Sequence, residues 1–149
     1  YGTRAVGTEM QWINEMWSLI RSESEDKELV RPDGFFKLYR EDIERTVLGF
    51  VETDTRNTEW EKKIQSYEKA FVIGDWEQSL GSRFPTVFCV VPNEKAVDRV
   101  GKLIQENQSE VTYLVKSWQK LLEEDAFENW YIPHLGEYIE RWLPKQLDI

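Results

Sequence analysis

Three short segments of the chain carry side chains whose types and spacing suit metal-assisted chemistry. Asp33 lies in the segment Pro32-Asp33-Gly34, and Glu52 and Asp54 close the strand-like run that follows. Lys63 falls inside the helix predicted after that run. Carboxylates and an amine brought to one edge of a sheet can hold a divalent metal ion and a water molecule against a phosphodiester. These four residues are therefore the candidates for a hydrolytic site.

Each acid also has a purely structural explanation. Alternate residues of a strand share a face, so Glu52 and Asp54 point the same way as Leu48 and Phe50. Solvated charges at the end of a strand would explain both acids, and Asp33 can simply close a turn through its own side chain. The positions of Asp33 and Glu52 support a shared site when they are taken together, because adjacent strands of a meander can place Asp33 beside Glu52. Like charges brought together need a cation, or else one of them takes up a proton.

Lys63 is placed by the apolar stripe of its helix. It falls three residues after Trp60 and four before Tyr67, so it borders that stripe, whereas Lys62 projects to the opposite side. Lys63 can therefore lay its stem along the core and aim its amine at the carboxylates. The alternative is that the amine turns outward and remains in water.

The first predicted helix contributes a further acid. Residues from about Thr8 to Ser24 read as an amphipathic helix, because Trp12, Met16 and Leu19 fall at helical spacing. Glu9 lies three residues before Trp12, on the inner face of that helix, where it can add a ligand to the same site. A capping role in the first helical turn is the alternative for Glu9.

The remaining elements follow from apolar runs and turn residues. The sequence predicts strands at residues 28–31, 35–39, 46–51, 86–91 and 111–115, and helices from Asn57 or Thr58, after Pro92-Asn93, and around residues 121–122 and 138–143. Residues 58–61 have the form of a capping box. The predicted order, α-β-β-β-α-β-α-β-α, implies one α/β domain over residues 1–149, with a mixed sheet of about five strands and helices on both faces.

The composition fits a folded domain but opposes a general nucleic-acid binder. The chain has 149 residues, 40% of them hydrophobic, with seven Trp and a net charge of −9. A nucleic-acid binder normally shows a basic surface, although Mg²⁺ or Mn²⁺ can neutralise clustered carboxylates locally. The single cysteine, Cys89, lies in an apolar run and reads as a buried, inert thiol, which favours a reducing, cytoplasmic setting. No apolar run is long enough to span a bilayer, and with His134 as the only histidine no Cys/His group has zinc spacing.

The candidate residues lie in segments that resemble the replication-relaxation family of plasmid-borne proteins, a branch of the PD-(D/E)XK restriction-endonuclease-like superfamily. The matching segments span residues 30–34, 50–55, 63–67 and 83–87. The predicted α-β-β-β-α-β order also fits the core of that superfamily. The resemblance therefore implies a restriction-endonuclease-like core for this domain.

The resemblance also implies a role for each candidate. Asp33 and Glu52 would be the metal-binding acids for Mg²⁺ or Mn²⁺, with Glu9 as the accessory acid. In the superfamily a lysine follows the second acid by two positions along the strand, where this chain has Asp54. Lys63 would then supply the amine from the neighbouring helix, and Asp54 would be an extra ligand or an orienting group. Family members usually carry a winged-helix DNA-binding segment upstream, so the chain is expected to be the C-terminal part of a longer cytoplasmic protein that acts on DNA.

Two functions from different classes follow, and a third is kept open. The first is a metal-dependent deoxyribonuclease acting on plasmid DNA in replication, relaxation or transfer. The second is a catalytically inactive nuclease fold that serves as a DNA- or protein-interaction platform in a replication or relaxosome complex, which the missing strand lysine and the acidity favour. The third is an acidic interaction protein that mimics the charge of DNA and competes with it for a basic partner.

Overall fold

The computed structural model describes residues 8–13, 20–22, 27–30, 32–40, 45–54, 58–74, 84–107, 110–124, 126 and 128–141. The strands in these residues are β1 (Thr8–Ile13), β2 (Ile20–Ser22), β3 (Lys27–Val30), β4 (Gly34–Arg40), β5 (Arg45–Thr53), β6 (Thr86–Val91), β7 (Tyr113–Ser117), β8 (Glu128–Ile132) and β9 (Glu137–Arg141). The helices are α1 (Trp60–Ile73), α2 (Glu94–Asn107) and α3 (Trp118–Glu123). Among the described residues, no helix is both long and apolar enough to cross a membrane.

Seven strands form one mixed sheet in the order β1-β4-β5-β6-β7-β8-β9, and β2 and β3 form a separate antiparallel pair. β4 and β5 are antiparallel neighbours, whereas β5, β6 and β7 run parallel. α1 connects β5 to β6 and α2 connects β6 to β7, because parallel neighbours need a crossover connection. The predicted α/β class, with a mixed sheet flanked by helices, is confirmed. Among the described residues the sheet has seven strands rather than about five, and the strand predicted at residues 28–31 corresponds to β3, which lies outside it.

The centre of the sheet is apolar on both faces. In β6, Val87, Cys89 and Val91 belong to the core that α1 and α2 cover, whereas Phe88 belongs to the core on the opposite face. Successive side chains of a strand alternate between faces, so a strand covered on both sides reads as a continuous apolar run. We call the core on this opposite face the second core; it contains Phe36, Phe88, Val90, Leu114 and Trp130. Leu121 of α3 packs against it, and helices therefore lie on both faces of the sheet.

α1 is the helix that faces the candidate acids. Trp60, Ile64 and Tyr67 recur at helical spacing and are buried against the sheet. Glu59 occupies the N-cap position, and its side chain makes no capping hydrogen bond. The N-cap is therefore Glu59 and not Thr58, the residue that the predicted capping box at residues 58–61 would use.

The prediction of a first helix from Thr8 to Ser24 is wrong. Residues 8–13 form β1, which pairs antiparallel with β4 at one edge of the sheet, and residues 20–22 form β2. Trp12 and Met16 stand four residues apart, but residues 9–12 also alternate polar and apolar types, a pattern that suits a strand. The outer edge of β4 offers backbone hydrogen bonds, and this pairing outweighs the helical spacing. Glu9 therefore lies in a strand and not on a helix.

The C-terminal helix predicted at residues 138–143 is also wrong. Residues 137–141 form β9, which pairs with β8, a strand absent from the predicted order. Gly136 has a φ of 66°, and its N–H donates to the Ile132 carbonyl at 2.9 Å, so a tight turn joins the two strands. The turn residues thus form a hairpin instead of separating two helices. Residues 142 and 143 of the predicted helix lie outside the described residues.

β5 approaches its neighbours closely at Gly49. A Cβ at this position would lie 2.3 Å from ring carbons of Phe36 and 2.8 Å from Phe88 Cε1. The rings of Phe36 and Phe88 pack with their centroids 5.2 Å apart. The missing side chain at Gly49 thus lets both rings fill the second core.

Candidate active site

The pairing of β4 with β5 brings Asp33 and Glu52 to the same edge of the sheet. Gly34, the first residue of β4, stands opposite Val51, so the start of β4 and the end of β5 are adjacent. Asp33 directly precedes Gly34 and Glu52 directly follows Val51. An antiparallel pair therefore places the two acids side by side although they are distant in the sequence.

Asp33 and the end of β5 are joined by reciprocal hydrogen bonds. The backbone N–H of Asp33 donates to Glu52 Oε1 at 3.1 Å. In return, the backbone N–H and the hydroxyl of Thr53 donate to Asp33 Oδ2 at 2.8 and 3.1 Å. Asp33 is exposed, and within the described residues its Oδ1 accepts no hydrogen bond. The Asp33 carboxylate is thus oriented by one oxygen and presents the other at the surface.

Lys63 completes the cluster from α1. Its Nζ donates to Glu52 Oε2 at 2.8 Å, which is the length of a charge-assisted hydrogen bond. The Lys63 side chain is 33% exposed, whereas that of Glu52 is 2% exposed. The long stem reaches the carboxylate along the buried face of the helix, and the amine stays close to solvent. Both oxygens of Glu52 therefore have a donor.

Three opposing effects act on the Glu52 carboxyl. Burial raises its pKa above the usual value, because a charged carboxylate loses its hydration. The Lys63 ammonium lowers that pKa by hydrogen bonding and by its charge, and the nearby Asp33 carboxylate raises it. Burial is the largest of these effects, so the pKa of Glu52 is raised overall. A cation brought between the two acids would oppose this rise.

Asp54 stands beside the cluster and faces a residue of α2. Its backbone N–H donates to the Val90 carbonyl at 2.8 Å, and its side chain is 8% exposed. Arg99 is the nearest cation, with its NH2 atom 3.9 Å from Asp54 Oδ2. That distance is longer than a hydrogen bond, so the two groups attract without being bonded. The sequence offers no local signal for this contact, because α2 reaches β5 only through the crossover.

Two buried polar groups lie beneath the cluster. Tyr67 follows Lys63 by one helical turn, and within the described residues its buried hydroxyl has no hydrogen-bond partner. Burial raises the pKa of Tyr67, and the charge of Glu52 adds to this. Cys89 stands opposite Glu52 in the pairing of β5 with β6, and burial raises the pKa of its thiol. A buried thiol with a raised pKa is a poor nucleophile, in agreement with the prediction that Cys89 is inert.

Glu9 is not brought to the cluster. Its backbone pairs with Tyr39, six residues along β4 from Asp33. At the rise of a β-strand, six residues correspond to about 20 Å. The strand that replaces the predicted first helix thus carries Glu9 toward the other end of β4, so an accessory acid from a helix is not available at this position.

The two acids fit the coordination habits of Mg²⁺ and Mn²⁺. Within the described residues, no group of three or more His, Cys, Asp or Glu side chains is arranged to hold a metal ion. Mg²⁺ needs only one or two carboxylates when waters and phosphate oxygens complete its shell. Asp33 and Glu52 are the two carboxylates of the cluster that could take this part, Asp33 through its outward oxygen. Asp54 lies beside these two acids, with Arg99 3.9 Å away, and stays a candidate for an extra ligand or an orienting group.

A scan against protein-family models, a search of curated proteins and a search of solved structures each found no match. The geometry of Asp33, Glu52 and Lys63 is therefore the basis for a function.

Proposed function

We propose that the domain hydrolyses phosphodiester bonds of DNA with the help of Mg²⁺ or Mn²⁺. The observation that carries this proposal is the cluster in which Glu52 accepts from the Asp33 backbone at 3.1 Å and from Lys63 at 2.8 Å. Two acids and an amine at one edge of a sheet are suited to holding a phosphate and a water together. The antiparallel β4–β5 pair, the crossover helix α1 and the parallel strand β6 support a restriction-endonuclease-like arrangement of these elements.

Each residue has a distinct part in the proposal. Asp33 and Glu52 would hold the ion, which when bound lowers the pKa of a coordinated water and offsets negative charge on phosphate. Asp33 would use its outward oxygen for this, because Thr53 fixes the other oxygen. Lys63 stands next to both acids and is one-third exposed, so its ammonium can turn from Glu52 toward a phosphate oxygen and stabilise the charge that develops there.

The test is cleavage of supercoiled and linear DNA with Mg²⁺ or Mn²⁺. We expect cleavage by the wild-type chain and its loss in Asp33→Asn and in Lys63→Met. Lys69→Met is the matched control, because Lys69 is exposed on the same helix and lies more than one turn beyond Lys63. If neither metal binding nor metal-dependent cleavage is detected, or if the control variant loses as much activity as Lys63→Met, the proposal is wrong.

A second candidate is an inactive nuclease fold that serves as an interaction platform in a replication or relaxosome complex. The observation that favours it is that both oxygens of Glu52 already have donors. In addition, Asp54 stands where the superfamily that the chain resembles has a lysine. The Lys63–Glu52 ion pair needs no metal ion for stability when both carboxylate oxygens accept hydrogen bonds. Partner or DNA binding that survives unchanged in Asp33→Asn and Glu52→Gln would support this candidate, and binding lost in both would oppose it.

The biological setting belongs to the same proposal. Plasmid DNA as the substrate, and a cytoplasmic location, follow from the resemblance to replication-relaxation proteins together with the buried, reduced Cys89. Comparing relaxed and supercoiled plasmid as substrates tests the first of these directly.

A further inference from the structure

Tyr67 is a buried residue of α1 with no assigned part in the hydrolysis. It is 2% exposed, and within the described residues its hydroxyl has no hydrogen-bond partner. A buried donor without a partner is unfavourable, because it loses its bonds to water and gains none in return. Tyr113, a second buried tyrosine of the same core, does have a partner, since its hydroxyl donates to Glu68 Oε2 at 3.0 Å. The Tyr67 hydroxyl is therefore the one that needs an explanation.

The packing of the Tyr67 ring does not supply that explanation. The ring lies beside Phe50 of β5, with the two ring centroids 5.7 Å apart, and belongs to the apolar core under α1. A phenylalanine at this position would keep these contacts without burying a polar atom. Packing alone thus accounts for the ring and not for the hydroxyl.

The neighbours of Tyr67 place it next to Glu52. Phe50 and Glu52 stand two positions apart in β5, so their side chains share one face of the sheet. Tyr67 follows Lys63 by four residues, and the side chains of a helix lean toward its N-terminus, which is the direction in which Lys63 lies. Cys89 stands opposite Glu52 in β6 and belongs to the same core as Tyr67. Tyr67 therefore lies between the contact with Phe50 and the Lys63–Glu52 ion pair.

The electrostatics agree with this placement. Burial raises the pKa of Tyr67, and among the charges that raise it further that of Glu52 acts most strongly. Smaller contributions come from Cys89, Asp33 and Tyr113. A neighbouring carboxylate disfavours a tyrosinate, but it is a good acceptor for the neutral hydroxyl. The Tyr67 hydroxyl therefore keeps its hydrogen and can donate it to Glu52.

Glu52 has room for such a donor once Lys63 moves. An ionised carboxylate offers about four acceptor positions, of which the Asp33 backbone uses one at Oε1 and the Lys63 ammonium uses one at Oε2. In the proposed reaction that ammonium turns toward a phosphate oxygen, and Oε2 then loses its donor. The Glu52 side chain is 2% exposed, so water cannot easily replace the lost bond. A buried carboxylate left in this way is strongly unfavourable unless another donor takes over.

We propose that Tyr67 is a positioning residue that donates its hydroxyl hydrogen to Glu52 Oε2 when the Lys63 ammonium turns away. The inference rests on the proposed function, because the movement of Lys63 belongs to that reaction. Tyr67 acts through Glu52 and holds this carboxylate in place while Lys63 is bonded to phosphate. The unpaired hydroxyl is then the cost of a site that exchanges one donor for another, at a position where a stable fold alone would favour phenylalanine.

The test needs neither DNA nor metal, because Lys63→Met removes the ammonium permanently. Urea denaturation at pH 8 measures the effect of Tyr67→Phe in the wild type and in Lys63→Met. In the wild type we expect Tyr67→Phe to raise the folding equilibrium constant about fivefold, because an unpaired buried donor is removed. In Lys63→Met it should lower that constant about tenfold, because the hydroxyl is then bonded to a carboxylate. Tyr113→Phe is the matched control and should change the constant by the same factor in both backgrounds, since its partner is Glu68.

The outcomes separate this inference from the proposed function. An equal effect of Tyr67→Phe in both backgrounds would overturn the inference. In Mn²⁺-dependent cleavage, Tyr67→Phe should lower kcat about tenfold at unchanged KM, because the new bond forms only after Lys63 turns. Cleavage by Tyr67→Phe at the wild-type rate overturns the inference and leaves the proposed function standing. Opposite effects in the two backgrounds, with a wild-type chain that does not cleave DNA, support the Tyr67–Glu52 bond and remove the hydrolytic function.

Discussion

Replacing Lys63 by methionine should expose how strongly the cluster depends on a single ion pair. Lys63→Met keeps the stem of the side chain and removes the ammonium that lies 2.8 Å from Glu52 Oε2. At that separation, and with the effective dielectric constant of about 20 that suits protein sites, the attraction is about 6 kcal/mol. The net loss of stability is smaller than this attraction, because the ammonium is hydrated in the unfolded chain and Lys63 is already one-third exposed in the folded one.

We expect Lys63→Met to lower the free energy of unfolding by about 2–3 kcal/mol near pH 8, below the roughly 3–5 kcal/mol found for breaking a fully buried pair. The loss should shrink at lower pH, because Glu52 then takes up a proton and no longer needs the cation. Its pKa is already raised by burial, and removing Lys63 raises it further.

Urea denaturation of a double-mutant cycle measures the interaction free energy between Lys63 and Glu52 directly. The four proteins are the wild type, Lys63→Met, Glu52→Gln and the double variant, each at pH 8 and near pH 5. In the Glu52→Gln background, Lys63→Met should lower the free energy of unfolding by less than about 0.5 kcal/mol, because the carboxylate that pairs with Lys63 is absent. Lys69→Met, on the same helix, should change stability by the same amount in both backgrounds, because the partners of Glu52 are Asp33 and Lys63. An equal cost of Lys63→Met in both backgrounds would refute the reasoning.

Two further predictions concern Glu52 and Gly49. The raised pKa of Glu52 means that the folded chain binds its proton more tightly than the unfolded chain, so the contribution of this group is fully present below pH 4.5 and is lost as pH rises through the raised pKa. Glu52→Gln should therefore gain stability relative to the wild type as pH rises above 4.5, and denaturation curves that keep a constant offset across the series would contradict this. Gly49→Ala should destabilise the chain by about 1–3 kcal/mol in thermal or urea unfolding, because the new methyl group meets the rings of Phe36 and Phe88. Without those rings, alanine would stabilise a strand by about 0.5–1 kcal/mol, so a gain in stability would show that they have room to move.

The central part of the fold could be predicted from the sequence because several signals agree there. The turn residues Pro32 and Gly34 mark the start of β4, and the continuous apolar runs at 46–51 and 86–91 mark strands covered on both faces. Helical spacing of Trp60, Ile64 and Tyr67 marks α1. The prediction that Asp33 can lie beside Glu52 needed only the antiparallel pairing of two strands that are close in the chain.

The two ends of the described chain could not be predicted in the same way. Residues 9–12 suit a strand by alternation and a helix by the spacing of Trp12 and Met16, and only the open edge of β4 decides between them. Residues 137–141 become β9 through the turn at Gly136, which the sequence also allows as a break between helices. The proximity of Arg99 to Asp54 depends on how α2 packs after its crossover, and no local pattern encodes that packing.

The Asp33–Glu52 contact links residues nineteen apart, and the Lys63–Glu52 contact links residues eleven apart. The candidate groups are therefore all carried by one contiguous stretch of polypeptide, in loops that close with little loss of entropy. The low solvent access of Glu52, however, is supplied from outside that stretch, by its pairing with Cys89 of β6 and by the residues packed around that strand. The N–H of Asp33 donates to Glu52, and the N–H of Thr53 donates to the Asp33 side chain. We therefore expect amide hydrogen exchange at Asp33 and Thr53 to follow the opening of the whole sheet and not only the fraying of the β4–β5 hairpin.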